Sequence, residues 1–196
     1  MKDSEGERAV RIARQTIDVE ARDENPGQLN APESFQQKRG VFVTILTYPA
    51  HGLRGCIGYP EPVFSLGSAL VKSAQAACHD PRFPYLHADE LDHVIVEVSV
   101  LTVPEEIKGE RKKLPSAVEV GKDGLIVEMG MCRGLLLPQV APEWNWDSET
   151  FLAETCVKAG LTPDTWVEKS CKVFKFQAEI FAEETPRGKV SRKTLM

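Results

Sequence analysis

The sequence has no long hydrophobic run, and this absence argues against a membrane-spanning protein. Its longest apolar stretches, such as residues 94–96 and 135–137, are far shorter than the roughly 20 residues that a membrane-spanning helix needs. The first ten residues, MKDSEGERAV, contain no apolar core of a secretory signal. We therefore expect a cytoplasmic protein that has no contact with a membrane.

An excess of positive charge is also missing. The chain contains 24 Lys+Arg against 29 Asp+Glu, which gives a formal net charge of −5. Proteins that grip the phosphate backbone of nucleic acids need a basic surface. Nucleic-acid binding is therefore the weakest of the functional hypotheses, and it would require a local basic groove.

Paired cysteines and closely spaced histidines are absent too. The five cysteines are an odd number, no two of them form a C-x-x-C pair, and the four histidines are scattered. These patterns argue against a disulfide framework and a zinc site. No phosphate-binding P-loop, G-x-S-x-G nucleophile turn or dinucleotide fingerprint is present either. We predict reduced thiols, no metal site and no cofactor.

What the sequence does contain is typical of a globular domain. Its 196 residues are 42% hydrophobic and 27% charged. A chain of this length is long enough to bury a real core. We expect one domain over residues 1–196, made of two intimately packed subdomains, with a loose polar tail over 183–196.

Hydrophobic periodicity predicts both helices and strands. Helices are expected after N-caps at Ser4, Ser65 and either Asp147 or Ser148, and residues 25–27 are expected to end the first helix. Strands are expected over 40–48, 53–59, 94–101, 118–120, 125–129, 135–138 and 171–181. Short turns join several of these strands. The sequence therefore predicts an α+β fold in which helices flank a mostly antiparallel sheet.

The segment Leu-Arg-Gly-Cys-Ile-Gly at residues 53–58 is the most unusual on chemical grounds. In a strand, Arg54 and Cys56 project from the same face about 7 Å apart, and a nearby guanidinium favours a thiolate. Gly55 and Gly58 leave the backbone open to close approach. These features favour a reactive or ligand-binding cysteine, although cysteine more often only fills space in a core.

A second candidate is the proline-containing loop that follows Cys78. Asp80 can accept hydrogen bonds from local amides, Arg82 can pair with a carboxylate, and His79 can titrate near neutral pH. The simpler interpretation, which we favour over direct catalysis, is that Asp80 and Arg82 brace their own loop.

Several segments together resemble the AMMECR1 family. The resemblance rests on residues 40–44 (Gly-Val-Phe-Val-Thr), 53–58, 80–83 (Asp-Pro-Arg-Phe), 97–101 (Glu-Val-Ser-Val-Leu), 134–140 (Gly-Leu-Leu-Leu-Pro-Gln-Val), 155–161 (Thr-Cys-Val-Lys-Ala-Gly-Leu) and Trp166. It covers nearly the whole chain. Two departures stand out, because Pro84-Tyr85 replaces the common Pro-Pro and Asp123 replaces a common histidine.

The resemblance implies an α+β fold of two closely packed subdomains and an activity that is unassigned. It also implies partners, because similar domains are encoded with, or fused to, a Memo-like protein and a radical SAM protein. It adds Gln139, within the 134–140 motif, to the candidate binding residues.

Two functional hypotheses of different classes follow. The first, which we favour, is a ligand- or partner-binding cleft. Its residues would be Arg54, Gly55, Cys56, Gly58, Asp80, Arg82 and Gln139. The second is an enzyme in which Cys56, paired with Arg54, attacks or holds a small substrate. His79, Asp80 or Arg82 would supply orientation and proton transfer.

Overall fold

A computed structural model describes residues 1–24 and 31–193. Within it the chain forms two compact units. Of the described residues, unit 1 comprises 1–24, 31–101 and 179–193, and unit 2 comprises 102–178.

The described residues form α-helices, strands and four short 3₁₀ helices. The α-helices are α1 (Asp3–Glu20), α2 (Leu66–Cys78), α3 (Val140–Glu143) and α4 (Ser148–Lys158). The strands are β1 (Val41–Thr47), β2 (Leu53–Tyr59), β3 (Val94–Leu101), β4 (Glu105–Glu106), β5 (Asp123–Met129), β6 (Cys132–Leu136), β7 (Lys172–Glu183) and β8 (Val190–Lys193). The 3₁₀ helices are Glu33–Gln36, Ala88–His93, Arg111–Ala117 and Thr165–Val167.

Unit 1 contains an antiparallel sheet with one face covered by helices. Strand β1 lies between β2 and β3, β7 follows β3, and β8 pairs with β7. Because side chains alternate along a strand, Val41, Val43 and Ile45 all lie on one face of β1, and each is fully buried. They pack in one core cluster with apolar residues of α1 and α2.

Helix α1 presents a buried stripe to this core. Val10, Ala13 and Ile17, which recur at three- and four-residue steps in the sequence, are fully buried. The prediction of Ser4 as N-cap was wrong, because the helix already begins at Asp3. The Glu5 carboxylate instead accepts a hydrogen bond from the Lys2 amide at 2.9 Å. The predicted stop at 25–27 lies outside the described residues.

The segment after β7 is more ordered than a loose tail. Strand β8 pairs with β7 over Val190–Lys193. Between these strands Arg187 pairs with Asp18 at 3.1 Å, and the Gly188 carbonyl accepts a hydrogen bond from Arg11 at 2.9 Å. The prediction of a loose polar tail was therefore wrong for residues 183–193, because its arginine and main-chain groups find partners on α1.

Unit 2 contains a second antiparallel arrangement. Strands β5 and β6 form a hairpin, β5 also pairs with β7, and β4 pairs with β7 on its other side. Asp147 caps α4, because its carboxylate accepts a hydrogen bond from the Thr150 amide at 2.8 Å. Asp147 was one of the two predicted N-caps. Phe151, Leu152 and Cys156 of α4 are fully buried in the core of this unit.

One predicted strand of unit 2 is absent. Residues 118–120 form no strand, so no hairpin joins the predicted strands 118–120 and 125–129. Strand β5 instead turns back through Gly130 into β6. The Asp123 carboxylate accepts hydrogen bonds from the Glu119 amide at 3.0 Å and the Gln177 side chain at 2.9 Å. These bonds hold 119–123 as a turn. The α+β class and the antiparallel pairing are confirmed.

Candidate functional site

The β1–β2 hairpin fixes the position of the Leu-Arg-Gly-Cys-Ile-Gly segment. This segment is an extended strand in which Cys56 lies opposite Thr44 of β1. Side chains alternate, so Arg54 and Cys56 lie on one face while Gly55 lies on the face toward the helices. A Cβ added at Gly55 would be 2.3 Å from the Ala77 carbonyl oxygen. Glycine is therefore needed here for the close approach of the C-terminal end of α2.

Arg54 is bound to the loop beyond α2 rather than to the Cys56 thiol. Its guanidinium donates two hydrogen bonds to Glu90, at 2.7 and 2.8 Å, and two more to the carbonyls of Pro84 and Tyr85, at 2.9 and 3.0 Å. The side chain is only 13% exposed. Hydrogen bonding to Arg54 lowers the pKa of the Glu90 carboxyl below its ordinary value. A bidentate pair between a guanidinium and a carboxylate fixes the relative orientation of the two side chains and also pairs their charges.

Asp80 binds the same loop to the backbone of β2. Its buried carboxylate accepts a hydrogen bond from the Cys56 amide at 2.9 Å. It accepts three more from Arg82, one from the amide and two from the guanidinium, at 2.6 to 3.1 Å. These bonds, led by the Arg82 side chain, hold the pKa of Asp80 well below its ordinary value.

Arg82 is the outward-facing member of this cluster. It donates from Nη2 to the Cys56 carbonyl at 3.2 Å, yet 56% of its side chain is exposed. Its guanidinium also lies 5.7 Å from the centre of the Phe83 ring. Residues 79–87, which we call the braced loop, are thus fixed at their base by Arg54 and Asp80. Arg82 and Tyr85, which is 64% exposed, lie on the outer side of this loop.

The other two predicted site residues have different surroundings. His79 lies 2.8 Å from a Glu20 carboxylate oxygen and packs edge-on against the Tyr85 ring, with ring centres 4.6 Å apart. Its predicted assistance to Cys56 stays a prediction. Gln139 lies in unit 2, where it is exposed and immediately precedes α3.

A row of three polar side chains crosses the unit 1 sheet on the face opposite the helices. In the strand register Cys56 lies opposite Thr44, and Thr44 lies opposite Glu97 of β3. The Thr44 hydroxyl donates a hydrogen bond to Cys56 Sγ at 3.2 Å. All three side chains are half-buried. We call Cys56, Thr44 and Glu97 the polar row.

Glu97 has no hydrogen bond and no ion pair with the residues that the structure describes. Burial raises the pKa of its carboxyl above the ordinary 4.5, and the charge of Lys193 only partly offsets this effect. Partial burial without a hydrogen-bonding partner in the described residues makes the charged form of this carboxyl unfavourable in the folded protein.

Replacing Glu97 with glutamine is therefore expected to stabilise the protein in a pH-dependent way. The pKa is higher in the folded state, so wild-type stability falls as the pH rises from about 4.5 through the folded-state pKa. We expect Glu97→Gln to exceed wild type by up to about 1 kcal/mol at pH 8 and to lose this advantage near pH 4. Urea unfolding at both pH values measures this, with Ser99→Ala as the control on the same strand face. A Glu97→Gln protein that is no more stable than wild type at pH 8 would contradict the expectation.

Sequence reasoning missed three residues of this region. Glu90 follows His87 by three positions, and its carboxylate accepts a hydrogen bond from the His87 amide at 3.0 Å, so a local capping pattern was present. Glu97 is the only acid in the strand sequence VIVEVSVL, which was a usable signal. Thr44 lies in the 40–44 segment that carries the family resemblance, but its position beside Cys56 follows only from strand register.

Three of the other four cysteines differ from Cys56 in burial. Cys78, Cys156 and Cys171 are buried, and burial raises the pKa of the Cys78 thiol to about 12 and that of Cys156 to about 11. Such thiols stay protonated and inert at neutral pH. Cys132 is half-buried, like Cys56, and lies in unit 2.

Comparisons with known proteins place the chain in a family. The AMMECR1 family model matches residues 10–181. Protein PH0010 of Pyrococcus horikoshii is 50% identical over 100% of this chain and 98% of its own length. Protein MJ0810 of Methanocaldococcus jannaschii is 48% identical over 98% of this chain and 96% of its own length.

A solved structure agrees with the fold. The crystal structure of the uncharacterized protein PH0010 from Pyrococcus horikoshii superposes with a TM-score of 0.82 and covers 100% of this chain and 99% of its own. Among the helices that the structure of this chain describes, none is long and apolar enough to cross a membrane. The motifs, the family match and the full-length relatives together establish that the chain belongs to the AMMECR1 family.

Proposed function

We propose that this chain is a cytoplasmic protein-binding module that presents the braced loop to a partner protein. One observation carries the proposal. The loop is fixed from within by the Arg54 and Asp80 hydrogen bonds, while its outer side exposes Arg82 and Tyr85. A loop that is ordered before binding loses little conformational entropy when a partner docks, which favours affinity.

The exposed chemistry of the loop fits a protein partner. Tyrosine and arginine are enriched among the residues that dominate binding energy at protein interfaces. Leu53, at the start of β2, adds an exposed apolar side chain. A matching partner surface would offer a carboxylate to Arg82 and an apolar pocket to Tyr85. The Memo-like protein that the family resemblance implies is the first candidate, and the radical SAM protein is the second.

Calorimetric titration of the purified chain with each of these two proteins tests the proposal. We expect one of them to bind wild type, and Tyr85→Ala to weaken that binding at least about tenfold. Tyr85→Ala leaves the Arg54 and Asp80 hydrogen bonds in place, so the loop should stay folded. Met131→Ala removes a fully exposed apolar side chain at the β5–β6 turn and serves as the matched control.

Two outcomes would contradict the proposal. The first is that neither candidate protein binds wild type. The second is that Tyr85→Ala and Met131→Ala bind the partner as tightly as wild type, which would place the interface elsewhere.

A further inference from the structure

Two buried thiols lie side by side in the core of unit 2. Cys156 belongs to α4, and Cys171 immediately precedes β7. Both side chains are fully buried and belong to the same core cluster. The Cys156 thiol forms a side-chain hydrogen bond with the Cys171 sulfur. Fifteen positions separate the two cysteines in the sequence, so no local motif marks them as a pair and only the fold brings them together.

The surroundings of this thiol pair distinguish its two sulfurs. Burial raises the pKa of both thiols. For Cys171 the positive charge of Arg111 and the hydrogen bond from Cys156 oppose the rise. Arg111 is fixed close by, because its guanidinium donates a hydrogen bond at 3.1 Å to the carbonyl of Lys169, two residues before Cys171. Negative charge therefore develops more readily on Cys171, while Cys156 keeps its proton in the hydrogen bond.

The third buried cysteine has different surroundings. Cys78 lies in unit 1, and its thiol donates a hydrogen bond to the Ala74 carbonyl at 3.4 Å. Among the residues that the structure describes, no second thiol contacts it. Burial alone makes a thiol unreactive at neutral pH. The contact between Cys156 and Cys171 adds what Cys78 lacks, which is a second sulfur with which an oxidised sulfur can react.

We propose that Cys156 and Cys171 form a reversible intramolecular disulfide when a peroxide oxidises them, which joins α4 to the start of β7. A disulfide bond is about 2.05 Å long, shorter than any hydrogen bond between thiols, so one sulfur has to move toward the other. Cys171 can supply this movement, because it lies outside β7 and follows the exposed residues 168–170. The inference is independent of the braced loop, which lies in unit 1.

The oxidation uses one molecule of peroxide and is balanced. The Cys171 thiolate attacks one oxygen of hydrogen peroxide and the O–O bond breaks. Cys171 becomes a sulfenic acid, and the released hydroxide takes up the Cys171 thiol proton to form water. The Cys156 sulfur then attacks the Cys171 sulfur, the S–O bond breaks, and a second water leaves with the Cys156 proton. The two sulfurs together lose two electrons, and the peroxide gains them.

The disulfide should stabilise unit 2 and respond to redox conditions. It closes a loop of about 15 residues that includes the 3₁₀ helix Thr165–Val167. A cross-link of this kind restricts the unfolded chain and so favours the folded state. We expect the oxidised protein to unfold at a temperature about 5–10 °C higher than the reduced protein. A thiol reductant reverses the bond, so the pair stays reduced in a reducing compartment.

Peroxide treatment of the intact chain, followed by peptide mass spectrometry without reductant, tests the proposal. The protein is first reduced, freed of reductant and then exposed to hydrogen peroxide. We expect the dominant intramolecular disulfide to link the peptides that contain Cys156 and Cys171, and dithiothreitol to remove this link. Cys78→Ala removes a buried thiol outside the pair, so it is the matched control and should form the same link. Circular dichroism confirms that each variant is folded.

Trapping of sulfenic acids tests the roles of the two sulfurs. The peroxide is removed, and dimedone, which reacts with sulfenic acids, is added together with urea so that buried positions become accessible. In Cys156→Ala a sulfenic acid at Cys171 has lost the thiol that resolves it. We expect at least about tenfold more trapping at Cys171 in Cys156→Ala than at Cys156 in Cys171→Ala.

Three results would overturn the inference. Peroxide-treated wild type could contain no link between Cys156 and Cys171 after Cys56 is fully oxidised. The linked protein could unfold at or below the temperature of the reduced protein, which would mean that the bond does not fit the fold. Cys156 and Cys171 could be trapped equally in the two variants, which would contradict the assigned roles.

Discussion

Replacing Asp80 with alanine is expected to destabilise the protein by about 3 kcal/mol and to abolish binding through the braced loop. The buried carboxylate accepts one hydrogen bond from the Cys56 amide and three from Arg82. Its removal leaves the Cys56 amide without its partner beneath the loop, and it leaves Arg82 with its bond to the Cys56 carbonyl but without its carboxylate. Urea unfolding measures the loss of stability, and titration with the partner measures the loss of binding.

The pH dependence of this effect gives an independent check. The pKa of Asp80 is lowered in the folded state, so its stabilisation is complete above the ordinary carboxyl pKa of 3.8. It is lost as the pH falls toward the folded-state pKa. The stability difference between wild type and Asp80→Ala should therefore shrink in acid and stay constant above about pH 5.

Asp92→Ala is the control for Asp80→Ala, because Asp92 is an exposed aspartate that pairs with Arg187 at the surface. It should change stability by less than about 1 kcal/mol. If Asp80→Ala were as stable as Asp92→Ala, the loop would not depend on its buried carboxylate.

Replacing Glu183 with alanine is expected to destabilise unit 1 by about 3–5 kcal/mol. Glu183 is fully buried and pairs with Arg14 of α1, which is also buried. It also accepts a hydrogen bond from the Val96 amide at 3.1 Å. Its loss leaves the buried Arg14 guanidinium with the Val94 and Leu91 carbonyls and a longer ion pair to Asp18, at 3.6 Å.

Thermal and urea unfolding test this expectation. The neighbouring Glu184→Ala is the matched control, because Glu184 is exposed and lies 3.9 Å from Lys189 in a weak surface pair. It should stay within about 0.5 kcal/mol of wild type. A Glu183→Ala protein as stable as Glu184→Ala would show that the buried pair contributes nothing.

The sequence predicted those parts of the fold that depend on local periodicity. The β-branched and aromatic residues of 40–48, the alternation in 94–101 and the cap at Ser65 predicted β1, β3 and α2. Order in the segment after β7 was missed. It depends on Arg187 and Gly188 contacting α1, and such long-range contacts leave no local pattern.

The sequence predicted which segments form the candidate site, but not the hydrogen-bond partners of their side chains. Periodicity places Arg54 and Cys56 on one face, but it does not reveal that the Arg54 guanidinium turns to Glu90. The interpretation of Asp80 and Arg82 as loop braces agrees with their hydrogen bonds. Glu97 became a candidate only when strand register placed it in one row with Cys56.

Amide hydrogen exchange of this chain, with and without the bound partner protein, tests the central proposal most directly. The account predicts that binding slows exchange in peptides covering the braced loop and the start of β2, residues 79–87 and 53–54. Peptides from the β5–β6 turn, residues 129–132, should exchange at the same rate in both states. Protection confined to unit 2, with unchanged exchange over residues 79–87, would contradict the account.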